Sequence, residues 1–229
     1  MPQPRPRRAV CLDLDGTLID SAPDLAAALN RRLAANGLAP QPLASVKQMI
    51  GDGARVLLTR GFAAAGRPLT ETELAAELEA FIPDYEAQSL DETRPFPGVE
   101  EALEALADAG FMLAIVTNKP EAPTRTILRR LGLETRFATV AGGDSFPVRK
   151  PDPGHILGTL ERLGIAPADA VMVGDHANDL VAARGAGVRA IYAAFGYGEA
   201  DHRALGAAAV IERFDALPGA VAALFASAS

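Results

Sequence analysis

Four short, almost wholly apolar runs, at residues 9–14, 111–116, 170–173 and 188–192, stop at or near Asp, Thr, Asn or Gly. A run of that length without alternation reads as a strand buried on both faces, and helix-period segments lie between the runs. Strands alternating with helices give a parallel sheet covered by helices on both faces, a Rossmann-like α/β core.

The alternation fails between residues 21 and 88, where helical patterns follow one another with no strand between them. Ser21 with Asp24 reads as a capping box, Leu25, Leu29 and Leu33 share one face, and Gly37 is a natural stop. Together they predict a helix over about 21–36. Thr70 with Glu73 repeats the signal ahead of Leu74, Leu78 and Phe81, predicting a second helix over about 71–88 with Pro83 as the place for a kink. Pro95, Pro97 and Gly98 mark the return of the α/β pattern, and Val99, Leu103 and Leu106 open it with a helical stripe. The expected division is an α/β core domain of residues 1–18 and 92–229 and a small all-helical cap domain, 19–91, inserted after the first strand. The Ala-rich tail, 216–229, reads as a closing helix that frays.

With 229 residues, 49% of them hydrophobic, the chain can bury a substantial core. A net charge of −7 argues against a broad nucleic-acid-binding face. The single cysteine, Cys11, fits a reducing compartment, so a cytoplasmic location is expected, with the thiol facing the interior as a small hydrophobe. Arg5, Arg7 and Arg8 ahead of an apolar run imitate a signal peptide, but Asp13 and Asp15 interrupt that run. No segment approaches the roughly 18 apolar residues that cross a bilayer, so no membrane partner is expected.

In open parallel sheets, ligands bind beyond the carboxyl ends of the strands. Four groups of polar residues fall at such ends or in nearby loops: Asp13 with Asp15, Thr117 with Asn118, Lys150, and Asp175 with Asp179. In Asp13-Leu14-Asp15-Gly16-Thr17, alternate side chains share a face and the glycine permits a tight turn, so both carboxylates come over one sheet edge. Taken alone, an Asp-Gly turn with two solvated acids is the ordinary reading. Asp175 adds a third acid at the end of an apolar strand, and a hard oxygen-binding cation such as Mg²⁺ relieves the repulsion among them. Asp175 or Asn178 capping a helix over about 177–186 is the plainer alternative. Thr117 and Asn118 precede a helix, where a hydroxyl and free N–H groups suit a phosphate oxygen, and Lys150 supplies a point charge for phosphate. His155, His176 and His202 have no paired metal-ligand spacing and are expected at the surface or behind the ligands.

These groups, in this order, resemble the haloacid dehalogenase superfamily: DLDGTL at 13–18, TNK at 117–119, Lys150-Pro151, and GDHANDL at 174–180. The helical insertion falls where that superfamily carries its cap. The resemblance implies an aspartyl-phosphate formed on Asp13, with Asp15 as general acid and then base. It implies Mg²⁺ held by the Asp13 carboxylate, the Asp15 backbone carbonyl and Asp175, with Asp179 supporting. Thr117, the Asn118 backbone and Lys150 would hold the phosphoryl oxygens. Within the superfamily the chain looks closest to the phosphoglycolate phosphatases, from its length, the loop Gly51-Asp52-Gly53 ahead of Arg55 and Leu57, and TNKP at 117–120. That resemblance implies hydrolysis of a small phosphorylated metabolite in carbohydrate metabolism, 2-phosphoglycolate above all, by a monomer or homodimer. Arg55 becomes a candidate contact for the substrate carboxylate. His176, where relatives commonly carry serine, departs from the pattern. Phosphatases of amino-sugar phosphates or pyrophosphate and a β-phosphoglucomutase-like phosphotransferase share these motifs. A dehalogenase would leave Asp15 without a use, and a non-catalytic binding module would have no need of the intact acids.

Overall fold

The computed structural model describes residues 7–88 and 91–226. Arg5 and the expected fraying at 227–229 lie outside them. In chain order the elements are β1 (Arg8–Leu12), β2 (Ile19–Asp20), α1 (Ala22–Ala35), α2 (Leu43–Lys47), α3 (Ala54–Ala64) and α4 (Glu71–Gln88). They continue with β3 (Arg94–Pro95), α5 (Val99–Asp108), β4 (Phe111–Val116), α6 (Glu121–Arg130), β5 (Thr139–Ala141) and α7 (Gly154–Leu163). The chain closes with β6 (Ala170–Gly174), α8 (Ala177–Gly185), β7 (Arg189–Ala193), β8 (Ala209–Ile211) and α9 (Leu217–Ala226).

Six strands form one parallel sheet in the order β5-β4-β1-β6-β7-β8. Strand alternation splits the core in two. Val10, Leu12, Leu113, Ile115, Val171 and Val173 face one apolar cluster, with residues of α5, α6 and α9. Ala9, Cys11, Ala114, Val116 and Met172 face the other, with residues of α7 and α8. Burial on both faces is why these strands read as continuous apolar runs. Cys11 is fully buried there, and burial pushes its thiol up to about 12.

The expected sheet core is therefore present, with β5 and β8 in addition. Their three residues are too few to show a period. A further pair, β2 and β3, runs antiparallel where the chain leaves and re-enters the core. Asp24 ties the same crossing by accepting hydrogen bonds from the backbone N–H groups of Glu92 and Thr93 and from the Thr93 hydroxyl (2.6 Å).

Helices α1 to α4 fill the interval between β2 and β3, with α1 packed on α2, α3 and α4, and α3 on α4. Their apolar faces, including Leu29, Leu33, Leu58, Phe62 and Phe81, join the cluster on the first face of the sheet. Thr70 and Glu73 form the expected reciprocal cap of α4, and the helix runs on through Pro83. The Ser21–Asp24 capping box does not form. Ser21 precedes α1 without a side-chain capping bond, because its hydroxyl turns to Asp15 and Asp24 is taken by the crossing at residues 92 and 93. Among the described residues, no helix is long and apolar enough to cross a membrane.

Candidate active site

From β1 the chain crosses to β4 on one side and later to β6 on the other, so the carboxyl end of β1 is the point where strand order reverses. Side chains from three adjacent strand ends converge at such a point. After Leu12, the Leu14 carbonyl accepts from the N–H groups of Thr17, Leu18 and Ile19, which curls the chain and carries Asp13 and Asp15 over the sheet edge. Gly16 makes this possible. It sits at φ +85°, and a Cβ there would lie 2.5 Å from Asp175 Oδ2.

Lys150, fully buried, reaches Asp13 Oδ1 at 3.0 Å and donates to Asp179 Oδ1 and the Val116 carbonyl, each at 2.6 Å. Burial alone would lower the Lys150 pKa, but the flanking Asp13 and Asp179 hold it above its ordinary value. Asp13 is pushed up to about 7, chiefly by burial; Lys150 opposes this while Asp179 and Asp175 add to it. Asp13, Asp175 and Asp179 bring carboxylate oxygens within 4.8 Å of one another, all buried. This all-oxygen set, with one acid unusually reluctant to ionise, suits a hard divalent cation such as Mg²⁺, which would favour the carboxylate form.

The neighbours of these acids orient them. Asp175 accepts from the Thr17 hydroxyl (3.0 Å) and the Tyr197 N–H (2.8 Å). Asp179 Oδ2 accepts from the His176 N–H at 3.0 Å, forming half of a capping box in which His176 caps α8. The helix cap is thus His176, rather than Asp175 or Asn178. Its Nδ1 lies 3.2 Å from Asp175 Oδ2, and although burial works against a proton on the ring, Asp175 and the neighbouring acids raise its pKa to about 9. His155 is not at the surface: it is fully buried with its Nδ1 accepting from the Lys150 N–H at 3.3 Å. His202 stacks on Tyr192.

Asp15 faces a different group. Its carboxylate accepts from Lys119 Nζ at 3.0 and 3.1 Å and from the Ser21 hydroxyl at 2.5 Å. Lys119 Nζ also donates to the Tyr85 hydroxyl (3.1 Å), bringing α4 to the sheet edge. Neither Lys119 nor Tyr85 was assigned a role from the sequence. The available signal was a lysine directly after a strand-end Thr-Asn, yet nothing in the linear order pairs residues 85 and 119 with Asp15.

A pocket opens between the sheet edge and the helical insertion. Asp13, Asp15, Thr117, Asn118 and Lys119 line it from the core, and Leu25, Ile50, Gly51, Gly53, Leu57, Phe81 and Tyr85 from the insertion. Asn118 Nδ2 donates to the carbonyls of Gly51 and Lys150, and Asn178 Nδ2 to Asp52 Oδ1 (2.6 Å), so the 51–53 loop is tied to the core at two places. Gly51 has φ +114°, and a Cβ there would meet the His176 ring at 2.6 Å. Arg55 is not brought into the pocket. Ala54 and Leu57 line it, and the helical turn carries Arg55 round to an exposed ion pair with Glu71 (2.7 Å).

A model of the haloacid dehalogenase-like hydrolase family matches residues 10–193. Over 209 residues the chain is 44% identical to a phosphoglycolate phosphatase of Agrobacterium fabrum, covering 91% of this chain and 90% of that protein. Over 218 residues it is 44% identical to a phosphoglycolate phosphatase of Caulobacter vibrioides, covering 95% and 92%. A crystal structure described as a predicted phosphoglycolate phosphatase from Haemophilus somnus matches with a TM-score of 0.87 at 32% identity, over 94% of this chain and 98% of that one. Strand-end acids at the reversal point of a parallel sheet, a buried lysine between two of them and a family match over most of the chain agree: it belongs to the haloacid dehalogenase-like hydrolases, as an enzyme of their phosphatase branch.

Proposed function

We propose that the chain is a Mg²⁺-dependent phosphomonoesterase that works through an aspartyl-phosphate on Asp13 and dephosphorylates 2-phosphoglycolate to glycolate. The observation that carries this reading is the position of Asp13, which lines the pocket while its carboxylate meets Lys150 at 3.0 Å and the acids Asp175 and Asp179. In the first step an Asp13 oxygen bonds to phosphorus, the ester P–O bond breaks, and the departing oxygen takes a proton from Asp15. In the second, Asp15 receives a proton from water as that water bonds to phosphorus and the Asp13–phosphorus bond breaks.

Asp13, Asp175 and the Asp15 main-chain carbonyl would hold Mg²⁺, with Asp179 supporting from its bonds to Lys150 and His176. When bound, the cation neutralises charge on the phosphoryl oxygens and keeps Asp13 deprotonated. Lys150 adds a fixed positive charge, and Thr117 and the Asn118 backbone orient the phosphoryl group. The helical insertion, 19–91, acts as a cap that closes the pocket over the leaving group and excludes water. The relatives named phosphoglycolate phosphatase support the choice of substrate.

The test is phosphate release from a panel of 2-phosphoglycolate, sugar phosphates, an amino-sugar phosphate and pyrophosphate, with Mg²⁺ and then with excess chelator. Release that needs Mg²⁺ and is fastest for 2-phosphoglycolate is expected. Fastest release from another compound would discard the substrate, and no release at all would discard the phosphomonoesterase.

A further inference from the structure

Among the described residues, Lys119 and Tyr85 are buried ionisable groups that line the pocket and that the two-step chemistry leaves without a part. Lys119 is 8% exposed and lines the pocket, yet the phosphoryl end of the site already has Lys150 as its cation. Its ammonium is held by Asp15 at 3.0 and 3.1 Å and by the Tyr85 hydroxyl at 3.1 Å, and it sits 4.7 Å from the centre of the Tyr85 ring. Burial would strip the proton, but Asp15 and Tyr85 more than offset it, so the group stays charged. The walls around it, including Leu25, Leu57 and Phe81, are apolar. When Asp15 carries the proton that it gives to the leaving group, the ammonium loses its charge partner, and a cation left unpaired in such a wall selects for an anion on whatever enters.

We infer that Lys119, steadied by Tyr85 from α4, is the specificity-determining residue of this enzyme: it binds a carboxylate on the leaving group, the part that the sequence had given to Arg55. The inference rests on the phosphomonoesterase reading. Its geometric basis is that Lys119 Nζ touches the same Asp15 carboxylate that must meet the ester oxygen. An anion recognised by Lys119 therefore lies only a bond or two from that oxygen. The substrate class is a phosphomonoester with a carboxylate on the carbon bearing the ester oxygen. A neutral alcohol would bring the ammonium no anion beyond Asp15, and a bulky polyol would face apolar walls.

The experiment compares 2-phosphoglycolate with 2-hydroxyethyl phosphate, in which a neutral hydroxymethyl group replaces the carboxylate, for the wild-type enzyme and Lys119→Met. The wild type should prefer the carboxylate ester. In Lys119→Met, kcat/KM for 2-phosphoglycolate should fall about 10- to 100-fold further than for the neutral ester, the range set by one hydrogen bond to a charged group. Lys119→Gln, which can still donate to Asp15 and Tyr85, carries the same expectation should the methionine variant fail to fold. Calorimetric binding of phosphonoacetate against ethylphosphonate, in the presence of Mg²⁺, should show the same loss of preference without turnover. Equal losses on both esters would overturn the inference, since Lys119 would then act only by positioning Asp15. A wild type without preference would also overturn it while leaving the phosphomonoesterase intact. Were no ester hydrolysed, that reading would fall, and a phosphonate preference unchanged by the substitution would separately overturn the role of Lys119.

Discussion

Asp15 is set apart from the other acids by its partners. Asp13, Asp175 and Asp179 crowd together, with Asp13 and Asp179 on Lys150, whereas Asp15 looks toward Lys119, Ser21 and the insertion. That separation allows one carboxylate to attack while another handles protons. Asp15→Asn keeps the size of the side chain and one acceptor oxygen for Ser21 or Lys119 but removes the acid, so phosphate release should drop roughly 10²- to 10⁴-fold. Steady-state kinetics beside a thermal melt checks this, and near-normal turnover would remove Asp15 from the proton-transfer role. His155 gives a prediction of another kind. Burial, followed by the nearby charge of Lys150, lowers its pKa from 6.5 to about 4. The unfolded chain therefore takes up a proton below about 6.5 that the folded protein refuses until about 4. The contribution of this residue is complete above pH 6.5 and is lost as pH falls toward 4, by up to about 1.4 kcal/mol per unit. Urea unfolding at a series of pH values should show that slope, and His155→Gln should flatten it.

Among the elements, strands and long helices were legible because their periods extend over enough residues. The run at 111–116 coincides with β4, and the helices expected over 21–36 and 71–88 are α1 and α4 to within a residue or so. The short strands β2, β3, β5 and β8 were not legible, since two or three residues have no period and exist through their partners. Capping separates the two helices. Thr70 and Glu73 cap α4, Glu73 with one carboxylate oxygen while the other takes Arg67, whereas Ser21 and Asp24 are drawn to Asp15 and to the β3 crossing. Thr70→Ala should accordingly cost about 1 kcal/mol, a normal loss of an N-cap, measured by chemical denaturation. An unchanged stability would mean that tertiary packing, rather than the cap, holds the start of α4.

At the level of the whole molecule, the helical insertion and the sheet share one apolar cluster on one face, which joins Leu29, Phe62 and Phe81 to Leu12, Ile115 and Val173. Phe62 is fully buried within it. Phe62→Ala should destabilise the protein by roughly 3–5 kcal/mol, the range for removing a buried aromatic ring. Urea unfolding of this variant should still give coincident transitions by far-ultraviolet circular dichroism and tyrosine fluorescence, because the cluster links the two parts. Two separate transitions would show that the insertion unfolds independently of the sheet.

The chain order alone carried the alternation of strands and helices, the place of the helical insertion and the acids at the strand ends. Each of these is a local matter of hydrophobic period, turn chemistry and residue type, and so is written in consecutive residues. Which cation attends which acid was decided by folding. Lys119 and Asp15 are separated by 104 positions, and Tyr85 meets them only because α4 packs back against the sheet edge. Arg55, one residue from a pocket-lining alanine, was turned outward by a single helical step. Charge pairing across a pocket depends on distances between elements that consecutive residues do not encode, and at this site those distances place Lys150 on Asp13 and Asp179 and Lys119 on Asp15.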